Sequence, residues 1–346
     1  MAKLKVGIIG TGLIATKKHI PSYQKIREIC ELTALCDTDA EKAAQVAVAS
    51  GIPRSYSDVG HMIREAKLDL VSVCTPPKTH KDVAILAMKA GAHALIEKPL
   101  AMDENECDEI LEVSRVTGRQ ACVAHSDLFY PSFMKARQWV QEGRIGRLKG
   151  MTLFLSTPVD YITSKQDHWA NKLPGGVIGE SGPHLVYMAL AFLPRVTQVR
   201  AAGYKKMREY PWSPYEDYRI EIISEDVICS AVAVYDTQQW AAEMQLWGEK
   251  GMIKADLESM SIVLSRRPRL GASSVGVAAL GQSLSAAGSV IAQGLSYFTG
   301  RYRNTHDHLI QKFAEAIRNN QPVPATLEEG REAVRVMRLL TDLLKG

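Results

Sequence analysis

The sequence predicts an α/β protein that begins with a doubly wound parallel sheet and continues into an α+β domain with a large, mostly antiparallel open sheet. Three observations carry this. An apolar run over residues 4–9 leads into Gly10-Thr11-Gly12-Leu13-Ile14-Ala15. Strand-like and helix-like segments then alternate to about residue 124. Beyond residue 148 the pattern becomes a series of period-two or apolar segments separated by turns.

In the first part, strands are expected at 4–9, 32–36, 69–74, 93–97 and 120–124, with helices near 13–27, 39–50, 58–66, 79–90 and 103–117. This spacing gives a first domain of residues 1–124 and a second of residues 125–346. Pro131 opens a helix over 132–142, because a first-turn proline loses no hydrogen bond. Strands follow near 148–156, 196–204, 218–224, 227–235, 240–247, 251–256 and 260–264, with helices at about 180–192, 305–319 and 328–344.

Composition bounds the function. The chain has 346 residues, a formal net charge of +4 and scattered rather than clustered Lys and Arg, which argues against a nucleic-acid partner. Its start has no charged-then-apolar leader pattern, and the six cysteines form no CxxC pair. A cytoplasmic protein with reduced core thiols is expected. No charged residue occurs from Leu270 to Gly300. Glutamines and serines interrupt that run, so it reads as a mobile loop or a small-residue helix against a partner subunit, not as a membrane span.

The glycine motif suits a dinucleotide pyrophosphate. Gly10 permits a tight turn, Gly12 lets the backbone approach the phosphates, and Ala15 lets the helix pack close to the strand. Thr11, Leu13 and Ile14 complete that loop. A plain βα turn has the same glycines, so context matters. Asp37 ends the second apolar run, 22 residues after Ala15. A carboxylate there grips ribose hydroxyls and repels a 2′-phosphate, so NAD is expected over NADP. Lys42 reads as a solvated helix lysine.

Three further spots carry candidate chemistry. Thr75, Pro76 and His80 follow a strand's carboxyl end, where ligands sit in doubly wound sheets. Glu97-Lys98-Pro99 follows the next strand. Lys98 there can polarise a substrate oxygen, although taken alone it reads as a surface lysine at a turn that admits a cis peptide. Glu180 and His184 are four apart, on one face if both are helical. Pro183 places the helix start nearby, so Glu180 belongs either to the helix or to the entering turn. His184 suits removal of a hydroxyl proton, with Glu180 orienting the substrate or the imidazole. Spacing alone does not separate this from an ordinary histidine at a helix start. His306 and His308 are two apart and point differently, so no metal site is expected.

Together these residues resemble the Gfo/Idh/MocA oxidoreductases: the Gly10–Ala15 turn, Thr75-Pro76…His80, Glu97-Lys98-Pro99, the Gly175…His184 block, Gly248-Glu249-Lys250-Gly251 and the closing helices. The resemblance implies a Rossmann domain, an open-sheet domain, and hydride transfer between nicotinamide and a secondary alcohol or ketone of a sugar, cyclitol or nucleotide sugar. It implies that Lys98 polarises the oxygen, that His184 exchanges the proton, and that position 180 helps bind substrate. That position is usually Asp in the family and is Glu here. Leu128 stands where many members have Arg, so His125, Asp127 and Tyr130 are expected to line the pocket, with Trp169 as a sugar-facing wall. A homodimer or homotetramer is implied. An NAD-dependent glycoside hydrolase and a non-catalytic dinucleotide sensor remain as alternatives.

Overall fold

A computed structural model describes residues 2–266, 271–299 and 302–345. The chain forms two compact units, Met1–Ser126 with Arg303–Arg335, and Asp127–Tyr302 with Val336–Gly346. The first unit thus recruits a distant segment that local periodicity assigns to the second domain. The reason is side-chain capture: Asp307 accepts hydrogen bonds from Ser22 and Lys25, both at 2.6 Å, and Leu327 and Val334 enter the first unit's core.

In the first unit, strands β1 (Leu4–Ile9), β2 (Cys30–Cys36), β3 (Ser55–Tyr56), β4 (Leu70–Val73), β5 (His93–Ile96) and β6 (Ala121–Val123) form a parallel sheet ordered β3-β2-β1-β4-β5-β6. This is the order of a doubly wound dinucleotide-binding sheet, whose direction reverses between β1 and β4. Helices α1 (Ile20–Lys25), α2 (Ala40–Ser50), α3 (Val59–Ala66), α4 (His80–Lys89) and α5 (Glu104–Thr117) alternate with the strands. All four residues of β4 are buried, as expected for a strand covered on both faces. Asp39, Asp58 and Asp103 accept hydrogen bonds from the first-turn N–H groups of α2, α3 and α5, and Gly51 and Gly118 end α2 and α5 at positive φ. The segment read as a helix near 13–27 contains a π-helical turn, Ala15–His19, ahead of α1.

In the second unit, α6 (Pro131–Gln141) precedes β7 (Leu148–Pro158), and α7 (Ile178–Leu190) precedes β8 (Val196–Tyr204), β9 (Asp217–Ser224), β10 (Ile228–Thr237), β11 (Ala241–Gly248), β12 (Gly251–Asp256) and β13 (Ser261–Ser265). Their order is β13-β12-β11-β7-β10-β9-β8, and every pairing except β7 with β10 is antiparallel. Met151, Leu153, Ile220, Ile222, Ala231, Leu246 and Ile253 form its buried face. Phe154, Arg219, Ile228 and Lys254 alternate onto the other.

The uncharged run is not a loop: residues 272–298 form helix α8 (Ala272–Phe298), while Leu270 and Gly300 lie outside the described residues. Helix α9 (Thr305–Asn319) returns to the first unit. Helix α10 (Leu327–Leu343) contributes residues up to Arg335 to the first unit and the remainder to the second.

Candidate active site

In the first unit, the candidate residues gather at the carboxyl ends of β1, β2, β4 and β5, around the reversal point. Gly10 has φ +93°, and a Cβ there would lie 2.6 Å from the Cys74 carbonyl oxygen. Only glycine fits, because the strand ends run so close together. A Cβ on Gly12 would meet nothing within 4 Å, so no protein contact demands that glycine. Space is kept beside it for something else. Leu13 is exposed and Ile14 half-buried at the head of the following helix, whose first N–H groups lack intrahelical partners. These features fit a pyrophosphate laid against the turn.

Asp37 is tied into the same turn. The Thr11 N–H and hydroxyl donate to its Oδ2 at 2.7 and 2.5 Å, and the Asp39 N–H donates to Oδ1 at 3.1 Å. Burial opposes its ionisation, but the hydrogen bonds from Thr11 and Asp39 outweigh burial and hold the carboxyl below its ordinary value. The carboxylate is therefore charged and fixed in orientation, as ribose recognition requires.

Thr75 is half-buried and Pro76 exposed in the loop after β4. His80 is fully buried, with Nδ1 2.8 Å from the Pro99 carbonyl oxygen and Nε2 2.8 Å from that of Thr75. This corrects the expectation that His80 contacts a cofactor. Both ring nitrogens are engaged, and the residue ties the Thr75 loop to the turn bearing Lys98.

Lys98 is half-buried, and the Lys98–Pro99 peptide is cis. Its neighbour Glu97 turns its carboxylate into the protein. The carboxylate is buried, with Oε1 2.8 Å from His19 Nε2 and 3.7 Å from His306 Nε2, while Oε2 accepts the Lys98 N–H at 3.2 Å. Burial disfavours the Glu97 charge, but the hydrogen bonds and charge of His19 and His306 outweigh it and hold the carboxyl well below its ordinary value. Burial also lowers His19, against the pull of Glu97. A charged carboxylate between two buried imidazoles results, directly behind the lysine. The three donor atoms lie within 4.8 Å of one another. The His19–Glu97 separation is that of a hydrogen bond, so a shared proton explains the cluster without an ion. Sequence reasoning missed it because His19 and His306 stand 78 and 209 positions from Glu97.

In the second unit, α7 starts at Ile178, earlier than Pro183 suggested, so Pro183 lies inside the helix. Gly175 and Gly176 at positive φ turn the chain into it. The next turn packs tightly: a Cβ on Gly179 would lie 2.6 Å from Leu173 Cβ, and one on Gly182 2.9 Å from the end of Met337. Glu180 sits in the first turn, one turn before His184.

His184 Nδ1 lies 2.7 Å from Asp127 Oδ2 and 2.6 Å from the Tyr187 hydroxyl, which accepts the Asp127 N–H at 3.1 Å. Asp127 thus orients the imidazole, a role not anticipated for it. Tyr187 was legible as the neighbour one helical turn beyond His184. Tyr130 caps α6, and burial, reinforced by Asp127, Glu258 and Tyr302, pushes its phenol well above the ordinary value. Trp169 is 53% exposed and stacks on His168 at 5.8 Å. Leu128 is buried, and so is His125, which belongs to the first unit.

Comparison with known proteins identifies the family and the fold. Residues 4–125 match an oxidoreductase family with an NAD-binding Rossmann fold, and residues 133–254 match the GFO/IDH/MocA C-terminal domain. The UDP-N-acetylglucosamine 3-dehydrogenase of Acidithiobacillus ferrooxidans is 33% identical over 176 residues, 48% of this chain and 53% of that protein. The D-glucoside 3-dehydrogenase of Escherichia coli is 29% identical over 211 residues, 59% of this chain and 58% of that one. Among solved structures, the WlbA dehydrogenase of Bordetella pertussis, in complex with NADH and UDP-GlcNAcA, superposes with a TM-score of 0.80 at 18% identity, covering 99% of this chain and 96% of the other.

Proposed function

Because the chain belongs to the Gfo/Idh/MocA oxidoreductases and is an NAD-dependent dehydrogenase of CH–OH groups, we propose that it oxidises or reduces one secondary alcohol carbon of a sugar, cyclitol or nucleotide sugar, with His184 as the proton-transfer group. The observation that carries this is the Asp127–His184 pair. With Nδ1 held by the carboxylate and the Tyr187 hydroxyl, Nε2 is the nitrogen left to exchange a proton with a substrate hydroxyl. NAD, when bound, takes up or returns the hydride.

The protein's own contribution is position and charge. Lys98 places an ammonium against the substrate oxygen and stabilises negative charge as it develops there. Glu97 and its two histidines position that lysine's backbone. Gly10, Thr11, Gly12, Leu13 and Ile14 take the pyrophosphate, Asp37 takes the adenosine ribose, and Thr75 with Pro76 borders the cofactor. Glu180, Tyr130 and Trp169 contact the polyol. Trp169 supplies an exposed aromatic face, which suits the apolar side of a sugar ring. All six thiols are buried and unpaired, and burial pushes Cys30 up to about 12 and Cys36 to about 11, which suits residence in the cytoplasm.

A panel of sugars, inositols and nucleotide sugars, followed by NADH absorbance, tests this reading. Net NADH formation with one of them, lost in His184→Ala, supports it. Stoichiometric NAD binding without turnover on any of them, or sugar release without net NADH, overturns it.

A further inference from the structure

Helix α8 is inverted relative to an ordinary surface helix. Its face toward strand β13 is small and polar: Gln282 donates to Ser265 Oγ at 2.8 Å, and the Ser285 hydroxyl donates to the Ile262 carbonyl at 3.2 Å. Its solvent side carries Val277, Leu280, Leu284, Ile291, Leu295 and Phe298, between 60 and 88% exposed. An amphipathic helix on a monomer has the opposite arrangement.

The apolar residues follow a seven-residue repeat. Val277, Leu284, Ile291 and Phe298 are spaced by seven, and so are Leu280, Ala287 and Gly294. A 3.5-residue period keeps a seam facing another helix along its length. The seam is also nearly symmetric about the Ala287–Gly288 peptide. In an antiparallel pair crossing there, Leu284 meets Ile291, Val277 meets Phe298, and Leu280 meets Gly294 beside Leu295. The small residues Ala287 and Gly288 let the backbones approach at the centre.

We propose that α8 is a self-association element, packing antiparallel against α8 of a second copy of this chain about a two-fold axis beside Ala287 and Gly288. A lipid bilayer is the competing occupant, since Val275–Phe298 is long and apolar enough to span one. One feature weighs against it: the polar side of the helix is bonded to the edge of a folded sheet.

The test uses the full-length chain. Ala287→Cys should give a covalent dimer on mild oxidation, because the six native thiols are buried. Val48→Cys, on α2 and 83% exposed, should not. The double variant Leu284→Glu/Ile291→Glu should halve the mass measured by light scattering, while its NAD affinity and far-ultraviolet circular dichroism stay unchanged. Cross-linking of Ala287→Cys no greater than that of Val48→Cys, or an unaltered mass in the double variant, would overturn the proposal. So would sedimentation of the wild-type chain with phosphatidylcholine–phosphatidylglycerol vesicles that the double variant abolishes.

Discussion

His184 Nδ1 and Asp127 Oδ2 are 2.7 Å apart, and Asp127 reaches that position from the short helical turn just before α6. The carboxylate fixes the ring and leaves Nε2 as the working nitrogen. His184→Ala should therefore reduce kcat by about 10²–10⁴ with NAD affinity retained. Asp127→Asn keeps the shape but loses the anionic acceptor, and its kcat should fall between wild type and His184→Ala. Steady-state kinetics with the substrate found by screening, alongside NAD titration, decides this. An Asp127→Asn enzyme of wild-type kcat would reject the orienting role.

Gly10 and Gly12 separate folding from cofactor binding. Gly10→Ala drives a Cβ against the Cys74 carbonyl at positive φ, so the thermal midpoint should fall by several degrees. Gly12→Ala meets no protein atom within 4 Å. It should melt like wild type and still bind NAD at least tenfold more weakly. Differential scanning fluorimetry with and without NAD reads both effects.

Asp37 is held ionised by Thr11 and Asp39, so its preference for a free ribose hydroxyl should persist well below neutral pH. Asp37→Ser removes a charged hydrogen-bond acceptor worth about 1.5–3 kcal/mol, or roughly 10–150-fold in NAD affinity. Its loss for NADP should be smaller, because the repulsion of the 2′-phosphate goes with it. Fluorescence titration with both cofactors measures the ratio.

The His19–Glu97 pair sets an acid limb in stability. His19 is lowered on folding, so the unfolded chain binds the extra proton first, and stability declines as pH falls below about 6.5 toward the folded value. Glu97 is also lowered, so its contribution is present above about 4.5 and is lost as pH falls through its depressed folded value. Urea midpoints between pH 7 and 4 should fall in that order. His19→Asn should flatten the upper part, where one proton corresponds to about 1.4 kcal/mol per pH unit. An unchanged slope would show that His19 is not the group responsible.

Much of this was legible before folding was considered. The strand–turn–helix signature at Gly10, the carboxylate at Asp37 and the Glu97-Lys98-Pro99 turn are local patterns, set by residues within one βα unit. The expected ranges of α9 and β12 coincide with those observed. The helix from Ala272 was ambiguous because glycine and serine lower intrinsic helix preference, while its apolar repeat and its contact with β13 favour the helix.

Other features were decided by tertiary structure alone. Asp127 became the partner of His184 across 57 positions, and His306 joined Glu97 across 209. His80 exchanged an expected ligand role for a tie between two loops. Periodicity reports which face of an element is apolar, but a hydrogen bond between distant segments depends on where the closed sheet brings their ends. A single chain of residues determines its elements and their glycine turns; which polar groups meet is decided only once the core has closed and every buried donor must find an acceptor.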